Sequence, residues 1–373
     1  MISLMYPQHI IFGKGVINQL GERVGSLGSK ALLVTGRSAM RKSGILEKVI
    51  NQLSSNQIDV ELFDKVEHDP SLTTVAEGID EARKKDVSVV IGLGGGSAMD
   101  SAKTIAVIAK EEGTLEDYHE GKLKIKRPGL PFVAVPTTAG TGAEITNNAV
   151  LTNREKKLKK SIRSPFMIAK VALVDPELTL SCPPSLTAHS GMDALTQAIE
   201  SFISKGSNPI TDTLALRAIE LIFYNLPLAF EDGSNISTRE KVALGSLLSA
   251  MAFSNSGLGA VHGLSHPLGA HYNIPHGLAC AVLLPWVLEY NLPVCKEKMD
   301  IIAKKIGVKR GEDVPDIIRD LLNKLKIPLT FKEWGIKKED IPVLVKKSRS
   351  GSMAKNPREA TDEDLENILK KVI

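Results

Sequence analysis

Through the first half of the chain, apolar residues come in short, mostly continuous runs at 31–35, 60–63, 87–91, 132–135 and 171–174, and each run predicts a strand. Between them, segments such as 46–53 and 73–84 place their apolar residues three and four apart, the period of an amphipathic helix. Strands alternating with helices predict a parallel sheet covered by helices. After Val174-Asp175-Pro176 the short runs largely stop, and Pro183-Pro184-Ser185 introduces long helical patterns at 188–203, 212–226 and 238–253. Thr361-Asp362-Glu363-Asp364, ahead of Leu365, Ile368 and Leu369, has the form of a capped start to a last helix. The pattern predicts a doubly wound, Rossmann-like α/β domain over residues 1–180 and an all-α domain over 181–373, joined at the proline-rich turn.

Composition agrees with two ordinary cores. A chain of 373 residues with 43% hydrophobic and 24% charged residues is long enough for two globular domains, and its 30 Gly and 19 Pro are too dispersed to signal disorder. The net charge of +4 comes from 47 basic and 43 acidic residues spread along the chain, with local basic clusters near 156–160 and the C-terminus. Aromatics make up 4%. This combination argues against a nucleic-acid partner, which needs a clustered basic face or stacking platforms. Cys182, Cys280 and Cys295 are odd in number, far apart and without CxxC spacing, so they imply neither a disulfide framework nor a zinc knuckle. With no signal-peptide pattern and no run of 18 apolar residues, the expected setting is the cytoplasm, with no membrane partner.

Two glycine-rich turns carry the first candidate chemistry. The run 87–91 leads into Gly92-Leu93-Gly94-Gly95-Gly96-Ser97 and then a helical pattern through Ala102, Ile105, Ala106 and Ala109. Strand, glycine turn and helix suit a pyrophosphate: the backbone can approach closely, and free N–H groups and the helix dipole stabilise its charge. Ser97 adds a hydroxyl. The spacing departs from GxGxxG. A second turn, Pro136-Thr137-Thr138-Ala139-Gly140-Thr141-Gly142-Ala143-Glu144, follows the run 132–135 and offers three hydroxyls where open α/β sheets bind ligands. An ordinary strand-to-helix connection and a polar loop are the plain alternatives; two such turns in sequence favour a nucleotide.

Four of the eight histidines, His262, His266, His271 and His276, fall within 262–277. Imidazole suits zinc and iron, and a catalytic metal site needs three protein ligands. His262 and His266 are one helical turn apart, with His271 or His276 as a third, and spacing alone does not choose among them. Asp193 and Gln197, at i and i+4 in Gly191-Met192-Asp193-Ala194-Leu195-Thr196-Gln197, share a helix face that is able to turn toward the histidines. The plain alternatives are a carboxylate favoured by the helix dipole and hydrogen-bonded core histidines.

Gly95-Gly96-Ser97-Ala98-Met99-Asp100, Pro136 to Glu144, Gly191 to Leu195 and His262 to Gly277 resemble, in order and spacing, the iron-containing (group III) alcohol dehydrogenase family. The resemblance spans nearly the whole chain. It implies a dinucleotide-binding first domain and a metal-binding second domain. Gly94, Gly95, Gly96, Ser97, Asp100, Thr137, Thr138 and Thr141 are then expected around the cofactor. Lys159 matches a family lysine near the nicotinamide, with Lys160 as a neighbouring rival. Asp193, His262 and His276 become metal ligands and His266 lies beside the substrate. On that reading His266, or His271 through water, is expected to relay the hydroxyl proton to solvent. The sequence departs from the family at Gln197, where a histidine four residues after the aspartate is usual. An amide oxygen is a harder, weaker ligand, which leaves the choice between Fe(2+) and Zn(2+) open. NAD-preferring members resemble one another in having Asp where this chain has Gly36. Losing that carboxylate, with Arg37, Ser38 and Arg41 nearby, implies NADP(H) over NAD(H).

The resemblance thus implies hydride transfer between NADP(H), or alternatively NAD(H), and a small primary alcohol, diol or aldehyde, in a homodimer or higher homo-oligomer. The alternatives are a glycerol-dehydrogenase-like or dehydroquinate-synthase-like enzyme of the same fold, and a nucleotide-binding protein without catalysis.

Overall fold

A computed structural model of the chain describes residues 2–156 and 158–373. These form two compact units, one of Tyr6–Thr138 with Gly142–Ser181, the other of Cys182–Ile373 with Ala139–Thr141 and residues 2–5.

The first unit is built on a parallel six-stranded sheet of β1 (His9–Phe12), β2 (Lys30–Gly36), β3 (Asp59–Val66), β4 (Val89–Gly94), β5 (Phe132–Pro136) and β8 (Val171–Val174), in the order β1-β8-β5-β4-β2-β3. All five predicted strands are present. The pattern missed β1 and an antiparallel hairpin, β6 (Asn148–Asn153) with β7 (Leu158–Arg163). β1 is short and only partly buried, and β7 is largely exposed and basic, so neither reads as a buried run. The glycine run also differs from expectation, because β4 continues through Gly92 to Gly94. A Cβ on Gly92 would stand 3.0 Å from both Ala102 and Met99 side chains, so the bare glycine lets the following helix lie directly on the strand.

Around the sheet lie α1 (Leu20–Gly25), α2 (Ala39–Lys42), α3 (Ile45–Ser55), α4 (Leu72–Lys84), α5 (Gly96–Ile108) and α6 (Leu115–Glu120). The chain winds from β2 out to β3 and returns on the other side of β2 at β4. The order therefore reverses between β2 and β4, and open α/β sheets bind ligands at the carboxyl ends of strands at such a switch. Thr35 pairs with Leu93 and Gly94 with Pro136. That register brings the ends of β2, β4 and β5, and hence Gly36, Gly94 and Thr137, to one edge.

The second unit is helical: α7 (Pro184–Ile203), α8 (Pro209–Glu231), α9 (Ile236–Ser256), α10 (Ala260–Tyr272), α11 (His276–Lys305), α12 (Val314–Lys324), α13 (Ile341–Lys347) and α14 (Asp362–Val372). Thr361 caps α14 in a reciprocal capping box with Asp364, as its sequence predicts. By length and composition α8 and α11 are apolar enough to cross a membrane. Their apolar faces, among them Ala215, Ile219 and Ile222 of α8 and Leu283, Leu284 and Val287 of α11, form the core of this unit. α9 and α10 meet at a bend of 101° across residues 257–259.

One buried cation ties the first unit together. Lys103 of α5 is fully buried, and its Nζ donates to the carbonyls of Ala143 (2.6 Å), Thr146 (3.1 Å) and Asn148 (2.9 Å), with Thr146 Oγ1 at 3.2 Å. Burial pulls the amine's pKa down, while Asp100 and Glu144 act in the opposite direction. Only an ammonium has three protons to share among acceptors that have none to give. Lys103→Met removes the donor and leaves buried carbonyls unpaired, so we expect a loss of about 3–5 kcal/mol in chemical denaturation. A wild-type unfolding midpoint in this variant would contradict that assignment.

Candidate active site

The first turn is as open to an anion as its glycines suggest. Gly94 leaves the strand at φ +145°, and Gly95 caps α5 in an extended conformation with no side chain on its amides. A Cβ on Gly95 would lie 3.4 Å from the Thr138 hydroxyl and methyl, so the second turn stands against the first. Thr137 N–H donates to Gly94 O at 2.9 Å. The first N–H groups of α5, at Gly96 and Ser97, thus face a cradle suited to pyrophosphate. Thr141 groups instead with the helical unit, and its neighbour Gly140 lies so close to Ser190 that a Cβ would be 2.7 Å from the serine's own.

The other expected cofactor residues have defined partners. Asp100 accepts from Val150 N–H at 2.9 Å and lies 3.8 Å from Lys103 Nζ, which anchors the β6–β7 hairpin to α5. Lys159 is nearly buried and pairs with Asp69 at 2.6 Å, whereas the rival Lys160 donates to Glu120 O in an exposed position. Gly36 ends β2. Next to it, Arg37 donates through Nε to Lys65 O, and the Ser38 hydroxyl makes no cap bond at the start of α2. Arg41 is paired with Asp64 (3.1 Å) and Glu47 (3.6 Å).

In the helical unit, α7, α10 and α11 converge. A Cβ on Gly277 would fall 2.1 Å from His189 O, so α11 begins directly against the backbone of α7. This contact carries His276 to Asp193, with Nε2 3.6 Å from Oδ1. His262 Nε2 lies 3.4 Å from the same oxygen. Ligand atoms of Asp193, His262, His276 and Cys280 all fall within 4.8 Å of one another. The structure thus brings together Asp193, His262 and His276, and adds a cysteine for which the spacing of the three cysteines gave no sign. The usable signal was local: Cys280 is one helical turn after His276.

Glu200 is a second residue that the pattern passed over. Two turns after Asp193 on α7 and buried, it accepts from His262 Nδ1 at 2.6 Å and from Val261 N–H at 2.7 Å. Gly259 makes the approach possible, since a Cβ there would meet Glu200 Oε1 at 2.8 Å. One carboxylate therefore receives the amino end of α10 and fixes the His262 tautomer, with Nδ1 protonated and the Nε2 lone pair turned into the cluster.

His266, one turn beyond His262, stacks on His276 with ring centroids 5.7 Å apart. His271 does not join them. At about 100° per residue, nine residues carry it to the opposite face of α10 from His262. It is exposed there, with Lys347 Nζ 2.9 Å from its Nε2. The expectation of a proton relay at His271 therefore loses its geometric basis.

The donors are short of partners. Asp193 Oδ1 and Gln197 Oε1 are buried and accept no hydrogen bond, a costly arrangement unless a cation takes them up. Burial would raise the Asp193 carboxyl, but His276 and His262 beside it hold it below the usual carboxylate range. Burial works against protonating either imidazole, yet Cys280 and Asp193 raise both. The Cys280 thiol, which burial alone would push up, is brought down by the two imidazoles. A buried, electron-rich pocket of carboxylate, imidazoles and sulfur fits a divalent transition metal.

Comparison with known proteins gives the family. Residues 7–176 match the family model described as iron-containing alcohol dehydrogenase, and residues 187–373 match that of the Fe-containing alcohol dehydrogenase family, C-terminal. The chain is 40% identical to 1,3-propanediol dehydrogenase of Citrobacter freundii, covering 99% of this chain and 98% of that one. It is 34% identical to the NAD-dependent methanol dehydrogenase of Bacillus methanolicus, with both chains covered completely. The crystal structure of a 1,3-propanediol oxidoreductase superposes with a TM-score of 0.95 at 39% identity, over the full length of both chains. The chain belongs to the iron-containing alcohol dehydrogenase family and is an oxidoreductase of alcohols and aldehydes.

The carboxylate behind His262 has a measurable consequence. Glu200→Gln should weaken metal binding by about 10–100-fold, read by competition with a chromophoric chelator, while far-ultraviolet circular dichroism stays unchanged. Unaltered affinity would mean that Glu200 serves only the helix end.

Proposed function

We propose that the protein is a metal-dependent oxidoreductase moving a hydride between NADP(H), in preference to NAD(H), and a small primary alcohol, a diol or the corresponding aldehyde. The observation that carries this reading is the cluster of buried Asp193 and His262 with partly exposed His276, in which the Asp193 Oδ1 and Gln197 Oε1 atoms are buried and accept no hydrogen bond. Asp193, His262 and His276 would hold Fe(2+) or Zn(2+), and Gln197 completes the set or holds a water beside it. When bound, the metal polarises the substrate oxygen and the nicotinamide exchanges the hydride. His266, partly exposed and stacked on His276, takes the hydroxyl proton toward solvent during oxidation and returns it during reduction.

On the cofactor side, the amides at Gly96 and Ser97 and the Thr137 and Thr138 hydroxyls would hold the pyrophosphate. Lys159, paired with Asp69, would stand near the nicotinamide end. Gly36 has no carboxylate to repel a 2′-phosphate, and Arg37 uses only Nε on Lys65 O among its described contacts, which leaves its fork for an anion. The three cysteines are free thiols, in keeping with a cytoplasmic enzyme.

Exhaustive chelation should abolish turnover of short alcohols with NADP+, and Fe(2+) or Zn(2+) should restore it; turnover indifferent to chelator would refute the proposal. Cofactor choice has its own test. A Cβ at Gly36 would lie 3.6 Å from Val66 O, an ordinary contact, so Gly36→Asp fits the backbone. It should shift kcat/KM toward NADH by about tenfold or more, a change of roughly 1.4 kcal/mol. A wild-type preference for NADH would overturn the assignment.

A further inference from the structure

We propose that Cys280 binds this protein's metal as a thiolate, so that the donors are Asp193 Oδ1, His262 Nε2, His276 Nε2 and Cys280 Sγ. The inference rests on the metal site proposed above and names a ligand and a metal preference for it.

The argument is one of edge lengths. A tetrahedral centre with ordinary zinc bond lengths separates its oxygen from each nitrogen by about 3.4 Å and its sulfur from each nitrogen by about 3.6 Å. Asp193 Oδ1 stands 3.4 Å from His262 Nε2 and 3.6 Å from His276 Nε2. Cys280 Sγ stands 3.9 Å from His262 Nε2 and 3.7 Å from His276 Nε2. Four of the six ligand-to-ligand separations thus lie within about 0.3 Å of tetrahedral edges, and the other two do not exceed 4.8 Å; the substrate oxygen would then enter as a fifth ligand.

Three further observations support a ligand role over a packing role. Asp193 Oδ1 is buried without a hydrogen-bond partner and is turned to the same centre. The Glu200 carboxylate fixes His262 with its Nε2 lone pair toward Cys280 Sγ, where it meets the thiol at 3.9 Å and is aimed at the same centre as Asp193 Oδ1. By contrast, the buried Cys295 donates to Asn291 O along its own helix, the ordinary use of a structural thiol.

On α7, Gln197 offers the site only a neutral amide oxygen, buried and without a hydrogen bond, whereas Cys280 on α11 brings a sulfur donor. Thiolate is soft and anionic, and with Asp193 it neutralises a divalent ion completely. Soft sulfur favours Zn(2+) and Co(2+) over Fe(2+). On binding, the thiol proton leaves to solvent as the metal–sulfur bond forms, with no change in oxidation state.

Cobalt gives a readout independent of turnover. The full-length protein loaded with Co(2+) should show sulfur-to-cobalt charge-transfer absorption in the near ultraviolet. Cys182→Ser and Cys295→Ser should retain it. Cys280→Ser should lose it while the visible bands of bound cobalt persist, and its Zn(2+) affinity should fall by about 100-fold or more, beyond the cost of losing a residue behind a ligand. Its preference for Zn(2+) over Fe(2+) should fall by about tenfold or more. Cobalt bound to the wild-type protein without the sulfur band, or the band surviving in Cys280→Ser, would overturn the thiolate and leave the metal site standing. Failure of the wild-type protein to bind cobalt or zinc at all would overturn both. If Cys280→Ser does not fold, the wild-type spectrum alone decides.

Discussion

The helical unit depends on the contact at which α11 starts against α7, with Gly277 over the carbonyl of His189. No side chain larger than hydrogen fits there without moving one helix from the other. A displacement of even an ångström would separate His276 and Cys280, on the first turns of α11, from Asp193 on α7. Close helix packing by itself brings these donors together, and for the proposed metal such preformed geometry would reduce the ordering cost of binding.

Glu200 does the corresponding work for α10. A buried carboxylate is expensive unless satisfied, and here an imidazole N–H and a backbone N–H at the amino end of α10 satisfy it. The same interaction places His262, selects its tautomer and holds the amino end of α10 just past the bend from α9. Gly259 is the enabling residue, for the same steric reason as Gly277. The two glycines are small because a carboxylate and a carbonyl occupy the space that their side chains would take.

In the first unit a buried cation takes the part that a buried anion takes in the second. The Lys103 ammonium gathers the carbonyls of Ala143, Thr146 and Asn148, so the chain after the second glycine turn is fixed to α5, the helix that starts at the first glycine turn. Asp100, beside it on α5, holds Val150 of the hairpin. Polar groups that a composition count treats as surface residues here fasten the hairpin and the second glycine turn to α5.

The sequence by itself determined the two halves, five strands of the sheet, the long helices and the glycine turns, because these depend on local periodicity and on backbone freedom. Family register then selected Asp193, His262 and His276 from several combinations that spacing allowed, and the structure brings those three together. Only the tertiary structure decided that Cys280 joins them, that Glu200 stands behind His262 and that His271 faces away. Each of these depends on which face of one helix meets another, and a helix pattern read along the chain fixes the relative angle of side chains on one helix but carries nothing about its neighbours. The hairpin and the edge strand β1 escaped for a local reason, since the apolar run of β1 is only three residues, Ile10 to Phe12, and β7 is largely basic and exposed. The order of the sheet, and with it the meeting of Gly36, Gly94 and Thr137 at one edge, arises from long-range pairing that no local pattern encodes.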